Sequence, residues 1–199
     1  MRQFDKSYWE RHWVTAEGDR DLRLPVHPYL LVETAGLPTG EALDAGCGAG
    51  AEALWLAEHS WQVTAVDISA TALATARVRA ADAGLDSRIE WVEADLGRWV
   101  PERQWGLVVT SYAHGDTGQL AFYRRISSWV APGGTLLIVG HSHGPDHPDD
   151  AATTLTEITR LFTDPDWRIE SSYANARTLH AGSGPVQLRD VVVRASRLL

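Results

Sequence analysis

The period of the apolar positions changes along the chain, and the changes divide it into elements. Tyr8, Trp9, His12 and Trp13 fall at offsets of three and four, the spacing of one helical face, so a short amphipathic helix is expected over 5–15. Pro25, His27 and Pro28 interrupt it, and a second helix begins at Tyr29 and stops near Gly36 and Pro38. From residue 41 onward, short apolar runs alternate with longer helical ones. Strands are expected at 41–45, 62–67, 89–93, 107–112 and 135–140, the last entered through Pro132, Gly133 and Gly134. Helices are expected at 51–59, at 70–83 (rich in alanine and closed by Gly84) and at 119–130. Such alternation implies right-handed βαβ units and a parallel sheet covered on both faces.

After residue 140 the rhythm breaks. Residues 141–150, HSHGPDHPDD, read as a polar loop and 151–162 as a helix. Two β-type runs follow at 167–179 and 186–195, joined by about five residues at 181–185. A joint that short cannot hold a helical crossover, so these strands are expected to be antiparallel.

The length of 199 residues suits one domain with a sizeable core. A formal net charge of −8 argues against a phosphate-backbone partner, which would need a clustered basic face, so no nucleic-acid partner is expected. The single cysteine, Cys47, excludes an internal disulfide framework and fits a reducing compartment. The opening MRQFDKSYWERHW lacks the apolar core of a signal peptide, and no stretch approaches the ~20 apolar residues of a membrane span. A cytoplasmic protein with no membrane association is expected. Nine tryptophans is a high count, and their usual role is packing.

The chemistry concentrates at LDAGCGAG, residues 43–50, where the first strand turns into its helix. Gly46, Gly48 and Gly50 let a ligand's polar groups approach bare backbone N–H groups. Gly46, Gly48 and Ala51 also satisfy the dinucleotide G-x-G-x-x-[GA] pattern, so the loop alone does not separate NAD from S-adenosylmethionine. Asp67 closes the second strand, where a carboxylate can accept from ribose hydroxyls; Ser69 is available to cap the next helix. Asp95, in EADL, can accept from an adenine amino group while the Leu96 N–H donates to the ring, or it can simply cap a turn.

With LDAGCGAG, the VDIS around Asp67, EADL, the strand at 107–112 and the APGG at 131–134 in this order, the chain resembles the class I S-adenosylmethionine-dependent methyltransferases. The resemblance implies a Rossmann-like three-layer α/β sandwich, with a seven-stranded, mostly parallel sheet and an antiparallel last strand. It implies S-adenosyl-L-methionine as cosubstrate and S-adenosyl-L-homocysteine as product. Contacts are then expected from Trp9, Trp13, Asp44, Gly46, Cys47, Gly48, Gly50, Asp67, Ile68, Asp95, Leu96 and Ser111. Within the class the chain is similar to the small tellurite-resistance and thiopurine type. SYWERHW followed by HPYL resembles the thiopurine group's opening, where a W-x-x-x-W pair, here Trp9 and Trp13, folds over the cosubstrate. One domain, 1–199, is expected, with a helical lid at 1–37 on a core at 38–199. HAGSGPVQLRD, residues 180–190, resembles the tellurite-resistance type, whose matching His and Arg lie near the acceptor; these are His180 and Arg189, and that group's neighbouring Arg is Ala181 here.

Methyl transfer from a sulfonium is an in-line displacement, helped most by alignment and exclusion of water. Where the acceptor carries a proton, a histidine base assists. Open α/β sheets bind ligands beyond the carboxyl ends of their strands, which selects His114, His141 and His143, with Tyr112 on the same rim. His114, His141 and His180 are the catalytic candidates, and Tyr112, His143 and Arg189 the substrate candidates. The His and Asp residues of 141–149 have metal-ligand chemistry, but Gly144, Pro145 and Pro148 leave no rigid element to fix their geometry, so no metal is expected. SYAH at 111–114 departs from the Asn/Asp-Pro-Pro-aromatic motif of methyltransferases acting on base amines. A small-molecule acceptor and a monomer or weak homodimer are the expectations. The alternatives are an NAD-dependent oxidoreductase and a non-catalytic nucleotide sensor.

Overall fold

The computed structural model describes residues 4–17, 25–142, 153–181 and 184–199. Two helices lead, α1 (Lys6–Glu17) and α2 (Pro28–Thr34). The alternating part follows as β1 (Glu41–Ala45), α3 (Ala51–Glu58), β2 (Gln62–Asp67), α4 (Ala70–Ala83), β3 (Ile89–Glu93), β4 (Trp105–Ser111), α5 (Gln119–Ser127) and β5 (Val130–His141). The chain ends with α6 (Leu155–Thr159), β6 (Trp167–Ala181) and β7 (Gly184–Arg197).

The seven strands form one sheet in the order β3-β2-β1-β4-β5-β7-β6. Neighbours from β3 to β5 run parallel, whereas β7 is antiparallel to both β5 and β6, as the short joint between the last two strands requires. Successive residues of the central strands feed opposite cores: Leu107 and Val109 pack with Leu30, Leu56 and Leu73 on one side, and Val108 with Phe122, Ile126 and Leu136 on the other. Burying each such side chain is worth roughly 1.5–3 kcal/mol, which is why these strands are apolar on both faces. Strand order reverses at β1 and β4, so their carboxyl ends open a crevice.

The structure moves several boundaries. β4 begins at Trp105, whose indole is buried, rather than at residue 107. The fifth helix stops at Ser127, and β5 starts at Val130, so the APGG turn lies inside a strand. Trp105 pairs with Val130 and Leu107 with Thr135, leaving residues 131–134 to bulge opposite Gly106. A Cβ on Gly134 would stand 2.8 Å from the Ala131 carbonyl oxygen, so the bulge closes only with glycine there. The helix expected over 151–162 is one turn and a half from Leu155, started by a Thr154–Glu157 capping box, and residues 151–152 lie outside the described residues. Ser69 caps α4 as its sequence position suggests, accepting from the Ala72 N–H.

Both leading helices are tied to the core by polar contacts. Glu10 accepts from the Ala70 and Thr71 N–H groups and from Ser69, placing a carboxylate on the positive end of α4. Lys6 pairs with Glu93 at the end of β3. Glu33, buried on α2, accepts from Ser171 and Tyr173 of β6. These ties bring α1 across the carboxyl ends of the strands.

Candidate active site

A cavity of about 950 Å³ lies between α1 and those strand ends. Its inner wall is the glycine turn, and three of that turn's glycines take left-handed backbone: Gly46 at φ 86°, Gly48 at φ 51° and Gly50 at φ 81°. Four of the turn's amide donors are spent within the protein. Gly46 and Cys47 N–H donate to the Val66 carbonyl at 2.8 and 3.0 Å, Gly50 N–H to the Cys47 carbonyl at 2.8 Å, and Gly48 N–H to Asp67 Oδ2 at 2.8 Å. Trp13 covers the turn so closely that a Cβ on Gly48 would stand 2.6 Å from its ring.

Carboxylates gather behind and beside the turn. Asp67, nearly buried in the cavity wall, accepts from Gly48 and Ser69; burial still pushes its carboxyl above its ordinary value. Glu52, on the first turn of α3, also lines the cavity, and burial raises it too. Asp44 lies beneath the turn, fully enclosed, and neither carboxylate oxygen finds a hydrogen bond among the described residues. Burial, with Glu52 and Asp67 close by, pushes it well above the usual carboxylate range. Burial likewise raises the Cys47 thiol well above its ordinary value, so it is no nucleophile.

The far end of the cavity is polar and aromatic. His27 accepts the Leu30 N–H at Nδ1, 3.2 Å, which leaves the neutral ring's proton on Nε2, and Nε2 donates to Ser111 Oγ at 2.8 Å. Burial, reinforced by Arg177, pushes His27 down to about 4. Tyr112 holds a left-handed backbone, φ 56°, at the end of β4, an unusual conformation for an aromatic residue. Its hydroxyl accepts from Arg177 at 2.9 Å, Arg177 Nε donates to Asp190 at 2.8 Å, and Tyr29 donates to the same Asp190 oxygen at 2.9 Å. Rings of Trp9, His114, His141 and Tyr112 follow in a row, with neighbouring centroids 6.2, 6.0 and 4.6 Å apart.

Residues 42–134 match a family described as methyltransferase domain. Over this stretch the chain is similar to methyltransferase domains. TehB from Haemophilus influenzae superposes on the chain with a TM-score of 0.73 at 17% identity, over 87% of this chain and 63% of that one, a likeness of fold. A ribosomal RNA small subunit methyltransferase C of Alcanivorax borkumensis is 36% identical over 112 residues, covering 53% of this chain and 34% of that protein. A probable thiol methyltransferase 2 of Arabidopsis thaliana is 28% identical over 142 residues, covering 69% of this chain and 62% of that protein. The chain thus spans less than two thirds of the length of either curated relative.

The cavity gathers most of the residues that the sequence singles out: Trp9, Trp13, Gly46, Cys47, Gly48, Asp67, Ile68, Asp95, Leu96, Ser111, Tyr112, His114 and His141 all line it. Asp95 keeps its turn-capping part as well, accepting from the Gly97 N–H at 2.9 Å and pairing with Arg98. Two expected contacts stand outside the wall. Asp44 is beneath the turn, and Gly50 serves packing, because a Cβ there would meet Trp91 at 2.8 Å and Ala76 at 3.0 Å. Arg189 is a correction: it is exposed and outside the cavity wall, because alternation along β7 turns Leu188 and Asp190 inward and Arg189 away. The cation at the polar and aromatic end of the cavity is Arg177, absent from the sequence candidates; across the strands, residue 176 is the partner of 189, so 177 is out of phase with it. His27 and Gln119 are also absent from those candidates. The HPYL run holding His27 was the available signal for it. His143, and the side chain of His180 on β6, lie outside the described residues.

Proposed function

We propose that the protein is an S-adenosylmethionine-dependent methyltransferase acting on a small-molecule acceptor. One observation carries the choice of nucleotide: the turn is ringed by Asp44, Glu52 and Asp67, and the N–H groups of Gly46, Cys47, Gly48 and Gly50 are already engaged. A pyrophosphate needs open amide donors and meets repulsion from carboxylates, which disfavours NAD. The ammonium of a methionine moiety gains from the same three acids, and Asp67 in the wall suits ribose hydroxyls. When bound, S-adenosylmethionine supplies a methyl group on a sulfonium. The chain's own residues supply the rest: Trp13 closes over the turn, α1 limits water, and the ring row from Trp9 to Tyr112 orients the acceptor. The acidic balance of the chain supports a small acceptor over RNA. Its composition supports a cytoplasmic place, and among the described residues no helix is long and apolar enough to cross a membrane.

Calorimetric titration with S-adenosylhomocysteine and, in parallel, with NAD tests the reading. Binding of the former in the micromolar range and none of the latter is expected; binding of NAD alone overturns it. A screen of phenols, thiols, carboxylates and chalcogen oxyanions, read by S-adenosylhomocysteine production, then identifies the acceptor.

A further inference from the structure

The surroundings of His114 determine which of its ring nitrogens carries the proton. Gln119, buried at the start of α5, donates its side-chain amide nitrogen to the Ala113 carbonyl at 2.9 Å. That carbonyl oxygen can only accept, so the amide cannot be turned the other way. Gln119 Oε1 therefore faces His114 Nδ1, 2.9 Å away, and an amide oxygen there requires Nδ1 to be the donor. The neutral imidazole then carries its lone pair on Nε2.

We infer that Gln119 is a positioning residue that makes His114 Nε2 a general base, and that the acceptor arrives as a neutral hydroxyl or thiol rather than as a preformed anion. This rests on the methyltransferase reading. The charges at that end of the cavity agree with it. Arg177, the cation of β6, is compensated by the buried Asp190 and committed to Tyr112. Lys6 pairs with Glu93 and Arg98 with Asp95, Arg79 donates to the Ala49 carbonyl with the Glu52 carboxyl close by, and Asp5 and Asp116 add negative charge to the wall. The other titratable rings of the wall are Tyr8, His12, His27, Tyr112 and His141. An anion would find little uncompensated positive charge, whereas a neutral X–H group needs a base. As the acceptor's lone pair forms its bond to the methyl carbon, its X–H proton passes to Nε2 and the carbon–sulfur bond breaks onto sulfur. The products are the methylated acceptor, a neutral thioether and an imidazolium that returns its proton to water.

The test is nitrogen-15 NMR of the histidine rings in the full chain, with His114 identified by His114→Gln. Above its titration point His114 should show a protonated Nδ1 and a bare Nε2; the opposite tautomer overturns the inference. Gln119→Glu should keep that tautomer and raise the His114 pKa by about one unit, while Gln119→Leu should mix the tautomers. An unmoved His114 in both variants also overturns it. In turnover, phenol and 2-mercaptoethanol are the proton-bearing probes and thiocyanate the proton-free one. Transfer to the first two should fall about 100-fold in His114→Gln. Transfer to thiocyanate alone, or to none of the three, overturns the inference. Failure of the wild-type protein to bind S-adenosylhomocysteine would instead sink the methyltransferase reading, and the NMR result would be untouched by it.

Discussion

His27 gives the protein an acid-labile component whose size follows from its burial. The ring is 4% exposed, accepts the Leu30 N–H that starts α2, and donates to Ser111. Protonating it would put a second hydrogen against a bound N–H and strand a charge beside Arg177. Two acids face it. Asp190 is already engaged by Arg177 and Tyr29, and Glu52, 3.8 Å away, is itself raised by burial, so it loses its charge early on acidification. The folded-state pKa of about 4 lies below the ordinary 6.5, so the unfolded chain binds the proton first. Stability from this group is complete above about pH 7 and is lost as pH falls from 6.5 toward 4. At 1.36 kcal/mol per pH unit the loss is about 3 kcal/mol, an appreciable part of a domain's ordinary 5–15 kcal/mol. Urea denaturation between pH 4 and 8, comparing wild type with His27→Asn, measures it. Asparagine can still cap α2 but cannot titrate. The variant should be about 1–2 kcal/mol weaker at pH 8, through the lost Ser111 bond and packing, and should match or exceed wild type near pH 4.5. Parallel profiles for the two proteins, or a His27 resonance titrating near 6.5, would refute the reasoning.

Asp44→Asn removes a buried carboxyl whose raised pKa makes the folded state hold its proton more tightly than the unfolded one, so wild type loses stability as pH rises above about 4. The variant should melt higher at pH 8 yet bind S-adenosylhomocysteine roughly 5–30-fold less tightly, as a loss of 1–2 kcal/mol implies; a lower melting temperature with unchanged affinity would contradict this. Gly46→Ala would place a Cβ 2.3 Å from that of Ala113 in left-handed backbone, so a drop of at least 1–2 kcal/mol in urea and loss of ligand binding are expected, and wild-type stability would show that the turn adapts. Arg177→Met leaves Asp190 buried without its cation, which should cost about 3–5 kcal/mol; calorimetric melting is the check, and a shift under 2 °C would count against a buried ion pair. Trp13→Ala uncovers Gly48 and should weaken S-adenosylhomocysteine binding a few-fold while barely moving the melting temperature, because the side chain is only half-buried.

Most of the fold was legible because its signals are local. The runs at 41–45, 62–67 and 89–93 are strands bounded where the alternation places them, Ser69 caps α4, and Gly84 ends it in left-handed backbone. That Gly46, Gly48, Asp67 and Asp95 share one cavity wall was legible for the same reason, since a glycine turn and the acids that follow consecutive strands lie close together in both sequence and space. The boundaries that shifted, at Trp105 and through the 131–134 bulge, depend on cross-strand register, which no local pattern encodes.

The sequence by itself determined the alternation, the parallel sheet, the reversed last strand and the nucleotide-type turn, because each follows from hydrophobic period, glycine conformation or connection length. Only the tertiary structure decided which long-range partners meet. Whether Arg177 or Arg189 faces the cavity turns on the one-residue phase of an antiparallel pair. His27 reaches Ser111 across 84 positions, and Gln119 sets the proton on His114 only because the turn before α5 folds back on Ala113. Those contacts are three-dimensional accidents of packing to a reader of the chain, yet they determine the tautomers of His27 and His114 in the cavity wall.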